Sequence, residues 1–199
     1  MKRVAVFASG SGSNFEAIVQ ACREQSLQFE VVLLFSDKEQ AYALERAKNL
    51  NVPAHTFSPK NFPDKNSYEK EIVKLLEDYD VEFIALAGYM RLVGPLLLNQ
   101  YFGKIINIHP SLLPSFPGKD AIGQAIKKGV KITGVTIHYV DSGMDTGPII
   151  AQEAVEVNET DTYETLQKKI QKIEHELYPK IIDKLLRKDD KYVIKASTN

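Results

Sequence analysis

A single cysteine stands among the 199 residues, so no intramolecular disulfide can form, and the chain fits a reducing compartment. Cys22 falls inside a helical pattern, where a packed thiol is the expected role rather than a nucleophile. No apolar run approaches the roughly 18 residues that a membrane-crossing helix needs. Charge of either sign is not in excess: 25 Lys+Arg face 26 Asp+Glu, for a net charge of −1, which leaves no electrostatic footprint for nucleic acid. The four histidines, at 55, 109, 138 and 175, show no ligand spacing, and no metal is expected. Met1-Lys2-Arg3 runs straight into Val4-Ala5-Val6-Phe7-Ala8, an apolar stretch too short for a signal h-region and expected to form a first strand. With no repeat, low-complexity tract or Ser/Gly linker, the expectation is a cytoplasmic chain forming one domain over 1–199. Phosphate-binding features are expected in about 1–100 and catalytic ones in about 101–199.

What is present is alternation. Short β-branched runs near 3–8, 30–36, 54–57, 83–87, 105–109, 131–140 and 149–156 read as strands. Helical patterns fall near 14–24, 40–49, 67–79, 120–128 and about 162–187. The expected fold is α/β: a Rossmann-like, mostly parallel twisted sheet with helices on both faces. The last two strands have no room for a helix between them, so they run antiparallel or flank a functional loop. In such sheets ligands sit beyond the carboxyl ends of the strands.

The unusual residues gather at those ends. Strand 105–109 alternates so that Asn107 and His109 share a face, and Pro110 and Pro114 then stop it. A carboxamide beside an imidazole suits proton transfer next to a polarised carbonyl; a buried pair satisfied by loop backbone is the plainer alternative. After the first strand, Ser9-Gly10-Ser11-Gly12-Ser13-Asn14 lets the backbone turn sharply, and Ser13 or Asn14 is placed to cap the following helix. That helix N-terminus suits a phosphate, or is simply a tight turn. The loop lacks the third glycine of a dinucleotide fingerprint, having Phe15 there, and lacks a Walker lysine. The segment from Asp141 to Pro148 carries two acids and two glycines, either as a turn or with Asp145 as partner to His109. In the last pattern, Asp161 and Glu164 resemble a capping box, and Glu174 lies on the apolar stripe of Leu166, Ile170, Ile173, Leu177, Ile181 and Leu185. Pro179 is expected to kink that helix or break its hydrogen bonding just after Tyr178, and residues 168, 169, 172, 180, 184, 187 and 188 form a solvated basic face.

Asn107-Ile108-His109-Pro110-Ser111-Leu112-Leu113-Pro114, followed by Asp145-Thr146-Gly147-Pro148, resembles the folate-dependent formyltransferases. Gly12-Ser13-Asn14, Ala87-Gly88-Tyr89-Met90-Arg91, Glu174-His175 and Tyr178-Pro179 extend the resemblance over nearly the whole chain, toward the branch that acts on phosphoribosylglycinamide in purine synthesis. The resemblance implies two small-molecule substrates, with 10-formyltetrahydrofolate as formyl donor and no metal. It implies a direct attack through a tetrahedral intermediate, with Asn107 and protonated His109 stabilising the oxyanion and Asp145 supporting His109. It places the ribonucleotide against Gly12, Ser13, Asn14, Gly88, Met90, Pro110, Gln171 and Glu174. The folate would meet Lys65, Met90, Arg91, Leu92, Val93 and Asn107, together with Asp141, Ser142, Gly143, Met144 and Asp145. Lys65 stands where better-known members carry arginine, and a lysine meets a carboxylate only as a point charge.

Other readings remain open at this stage. A methionyl-tRNA formyltransferase is expected to carry a further C-terminal domain and a basic surface. A formyltetrahydrofolate hydrolase is expected to carry an N-terminal regulatory domain and leaves the glycine loop without a task. An NAD(P) oxidoreductase could use Gly10 and Gly12 with Asp37, and a silent nucleotide-binding module gives Asn107, His109 and Asp145 no joint task. The chain is expected to be a monomer or a homodimer.

Overall fold

The computed structural model describes residues 1–187, and its architecture follows from the strand at Lys2–Phe7 (β1). Val4 and Val6 of β1, with Ala8 beyond it, pack on one side of the sheet; Ala5 and Phe7 pack on the other. A strand buried on both faces must lie in the middle of a sheet that is covered twice. Helix α1 (Ser13–Glu24) follows, then β2 (Phe29–Ser36), α2 (Tyr42–Asn49), β3 (Ala54–Thr56), α3 (Lys65–Asp78) and β4 (Phe83–Leu86). The chain continues through α4 (Pro95–Gln100), β5 (Ile105–His109), α5 (Ala121–Lys128), β6 (Ile132–Tyr139), β7 (Ile149–Glu156) and α6 (Tyr163–Arg187).

The strands form one sheet in the order β3-β2-β1-β4-β5-β6-β7, parallel from β3 to β5 and antiparallel at β6 and β7. This is the α/β fold expected from the alternation, with the antiparallel strands where no crossover helix could fit. One core joins the sheet to α1 and α6 through Phe15, Ile18, Ile170 and Tyr178; the other joins it to α3 and α4 through Tyr68, Ile72, Leu76 and Leu97. Strand order reverses between β1 and β4, and the crevice beyond their carboxyl ends is where such sheets take ligands. No helix among the described residues is long and apolar enough to cross a membrane.

Three local features differ from the sequence expectations. Helix α4 has only six residues, too few to show a helical period, and is held by tertiary contact: the buried Glu69 carboxylate accepts from the N–H groups of Gly94 (2.5 Å) and Leu97 (3.5 Å). Neither Ser13 nor Asn14 caps α1, whose N-cap is Gly12 with φ 73° and no side-chain bond. At the start of α6 the reciprocal pair is Thr162 and Thr165, while Asp161 accepts from Asn158 N–H and Lys169 instead. Across Pro179 α6 continues to Arg187, as the pattern over 162–187 implies, because Tyr178, Ile181 and Ile182 are buried around it and packing carries the helix across the missing hydrogen bond. Lys188 of the basic face, and the end of the 1–199 domain, lie outside the described residues.

Candidate active site

Strand register assembles the polar cluster. In the antiparallel pairing of β5 with β6, Asn107 lies opposite His138 and His109 opposite Thr136. Cross-strand neighbours have close side chains, so Asn107 Nδ2 reaches His138 Nε2 at 3.2 Å. His138 Nδ1 lies 2.8 Å from the Tyr139 carbonyl, which can only accept, so that nitrogen carries the hydrogen. In the neutral ring Nε2 is then an acceptor and takes a hydrogen from the Asn107 amide, whereas in the imidazolium both nitrogens donate and Nε2 serves Asp145 Oδ1 at 3.6 Å. The second amide hydrogen faces Asp145 Oδ1 at the longer distance of 3.5 Å.

His109 is buried, with Nε2 at 2.8 Å from the Phe116 carbonyl and Nδ1 at 3.5 Å from Asp145 Oδ2. Both nitrogens thus face acceptors, an arrangement that an imidazolium satisfies at both ends. Burial pulls the Asp145 carboxyl upward, but it is outweighed by hydrogen bonding from His138 and the Gly118 N–H (2.7 Å) and by the two neighbouring imidazoles. The net effect holds Asp145 below the usual carboxylate range. Phe116 (φ 57°), Asp120 (φ 57°) and Asp145 (φ 56°) are all left-handed without being glycine. Such conformations cost of order 1–3 kcal/mol each and persist only where the surroundings enforce them.

Facing this cluster across a cleft of about 590 Å³ are the glycine loop, the segment after β4, and one side of α6. Asn14 donates from Nδ2 to Glu174 Oε2 at 2.9 Å, so its side chain ties α1 to α6 instead of capping α1. Glu174 is 7% exposed. Burial pushes its carboxyl up to about 7, against the lowering effect of the Asn14 bond. The N–H groups of Ser13 and Asn14 in the first turn of α1 donate to no protein acceptor among the described residues, and both residues line the cleft, as an anion requires. After β4, the Met90 N–H donates to Ser9 Oγ (2.9 Å), and Ser9 in turn donates to Asp37 (2.5 Å). Asp37 is therefore buried and engaged by a serine, not presented to a nucleotide ribose, and Phe15 is packed in the core. The dinucleotide reading loses Asp37, the residue it needs for the ribose.

A formyl transferase family model matches residues 2–182. The chain belongs to the formyl transferase family. It is 56% identical over 186 residues to the phosphoribosylglycinamide formyltransferase of Bacillus subtilis (strain 168), an alignment covering 94% of this chain and 95% of the relative. The crystal structure of phosphoribosylglycinamide formyltransferase from Bacillus halodurans matches with a TM-score of 0.91 and 57% identity, covering 98% of this chain and 100% of that one. Glycinamide ribonucleotide transformylase 1 from Geobacillus kaustophilus matches with a TM-score of 0.90 and 57% identity, covering 94% and 99% respectively.

In this formyl transferase, Asn107, His109 and Asp145 line one end of the cleft, with Asp141, Gly143 and Met144 beside them. Met90, Arg91, Leu92 and Val93 line its wall, and Gly12, Ser13, Asn14, Gly88, Pro110, Gln171 and Glu174 complete the other expected contacts. Ser142 and Lys65 do not line the cleft; Lys65 is on the first turn of α3, with its aliphatic stem against Gly94. Sequence reading did not single out His138, which sits 31 positions from Asn107 and meets it only through strand register. Gln167 and Tyr163 of α6 also line the cleft, and their one signal is spacing: 163, 167, 171 and 174 lie on one helical face.

Proposed function

We propose that the protein transfers the formyl group of 10-formyltetrahydrofolate to the amino group of phosphoribosylglycinamide, in the cytoplasm, as a step of purine biosynthesis. The observation that carries the reading is the sharing of one cleft: an imidazole–carboxylate–carboxamide cluster at one end faces an uncapped glycine-loop helix terminus and a buried glutamate. The names of the full-length relatives agree with it. Nothing in it requires a metal or an acyl-enzyme.

The ribonucleotide phosphate takes the open N–H groups at Gly12, Ser13 and Asn14, and Glu174 accepts from its ribose hydroxyls. The pterin end of the folate lies against Met90 to Val93 and the 141–145 segment. The substrate amine attacks the formyl carbon, and the carbonyl π electrons move to oxygen. That oxyanion competes for the Asn107 hydrogen now directed at Asp145 over 3.5 Å, while a cationic His109 stabilises the charge. The intermediate collapses as the bond to the folate nitrogen breaks, the proton lost by the amine going to that nitrogen with His109 as donor and Asp145 stabilising the ring. Residues 1–199 act as one domain in this scheme. The test is formyl transfer followed by folate absorbance, with and without the ribonucleotide. Turnover that requires the ribonucleotide supports the proposal. Deformylation at equal rate without it means a hydrolase, and no folate turnover refutes the assignment.

A further inference from the structure

The glycine loop can receive an anion only if its carbonyls turn away, since each carbonyl oxygen aimed into the cleft would repel a phosphate. Three consecutive carbonyls are held away by other groups. The Gly10 oxygen accepts from the Ala43 N–H at the start of α2 (3.0 Å), the Ser11 oxygen from Arg46 Nε (2.8 Å), and the Gly12 oxygen from the Glu16 N–H (3.0 Å). The N–H groups of Ser11, Gly12, Ser13 and Asn14 donate to no protein acceptor among the described residues. Only one of the three restraints comes from a side chain.

That side chain has a second task. Glu16 sits in the first turn of α1, where its charge opposes a bound phosphate, and the Arg46 guanidinium forms an ion pair with it. The Tyr42 ring stacks against Arg46 at 5.0 Å, which limits where the guanidinium can go. Arg46 does not line the cleft.

We infer that Arg46 is a positioning residue for phosphate recognition: it turns the Ser11 carbonyl out of the cradle and neutralises Glu16, without touching the ligand. The inference rests on the proposed reading of the glycine loop as the phosphate site. A lysine supplies the charge but not the fork that bonds a carbonyl and a carboxylate together.

The test compares binding of glycinamide ribonucleotide with binding of its dephosphorylated riboside, by calorimetry, in wild type, Arg46→Met and Arg46→Lys. The ratio of the two affinities isolates the phosphate contribution. A circular-dichroism spectrum and the affinity for the formyl donor report on the fold and on the other end of the cleft. Arg46→Met is expected to lower the ratio about tenfold, from one lost charge-assisted hydrogen bond, with donor affinity unchanged. Arg46→Lys is expected to fall between the two. A ratio near one in wild type means that the loop is not the phosphate site, and the inference falls with that reading. A large wild-type ratio that both variants keep overturns the role of Arg46 and leaves the phosphate site standing. Should Arg46→Met not fold, the lysine variant decides alone: a lowered ratio supports the inference and an unchanged one overturns it.

Discussion

Replacing Gly12 by alanine tests the packing that shapes the glycine loop. Gly12 has φ 73°, and an added Cβ would lie 2.6 Å from Ala43 Cβ and 2.7 Å from Ala43 Cα. The left-handed backbone costs a non-glycine residue about 1–2 kcal/mol, and overpacking a close contact costs about 1–3 kcal/mol, for a sum of about 2–5 kcal/mol. For a chain of this size, about 2–4 °C of melting temperature goes with each kcal/mol, so the expected fall is about 4–20 °C. The measurement is calorimetric melting of wild type, Gly12→Ala and Gly10→Ala. Gly10 is the internal control, because a Cβ there meets nothing within 4 Å, and it should melt within a few degrees of wild type. The double variant Gly12→Ala with Ala43→Gly sharpens the argument. Since the backbone Cα at 2.7 Å is as obstructive as the side chain, removing the Ala43 methyl should not restore stability. A Gly12→Ala protein as stable as wild type, or full rescue by Ala43→Gly, would refute the reasoning.

Three further outcomes are expected. Asn107→Ala should lower kcat/KM by about 10²–10³, the usual cost of one oxyanion donor, while circular dichroism stays native; an unchanged rate removes Asn107 from the mechanism. Glu174→Gln should flatten the pH dependence of stability. The folded carboxyl titrates near 7 and the unfolded one near 4.5, so the native state binds the extra proton between those values. Wild-type stability therefore declines by about 3 kcal/mol as pH rises from about 4.5 to 7, and the glutamine variant, measured by urea melts across that window, should lose this decline. Tyr178→Phe removes the hydroxyl that donates to the carbonyls of Leu86 (2.8 Å), the last residue of β4, and Ile106 (3.2 Å), the second of β5. It should cost about 1–3 kcal/mol, read as a fall of about 2–12 °C in melting temperature.

The features legible in the sequence were those with a local cause. Side-chain alternation and apolar runs report the strands because pleat and burial act on neighbours two apart, and the elements of the alternating fold appear where those runs lie. Asn107 and His109 could be placed together for the same reason, as they share one face of one short strand. The glycine loop announced a turn into a helix because glycine is what a left-handed N-cap needs.

Tertiary structure decided everything that depends on two distant segments meeting. Asn14 looks like a cap from its position, yet its amide is taken by Glu174, 160 residues away. Helix α4 exists because Glu69 supplies its terminal acceptors, and Asp37 is withdrawn from any ligand because Ser9 lies against it. His138 joins Asn107 and Asp145 only because β6 turns back antiparallel in a particular register, and a shift of one residue would send its ring to the other face. Periodicity records which face of an element is buried. It carries no record of what stands opposite, because hydrogen bonds and charges are satisfied by proximity in space and not in sequence.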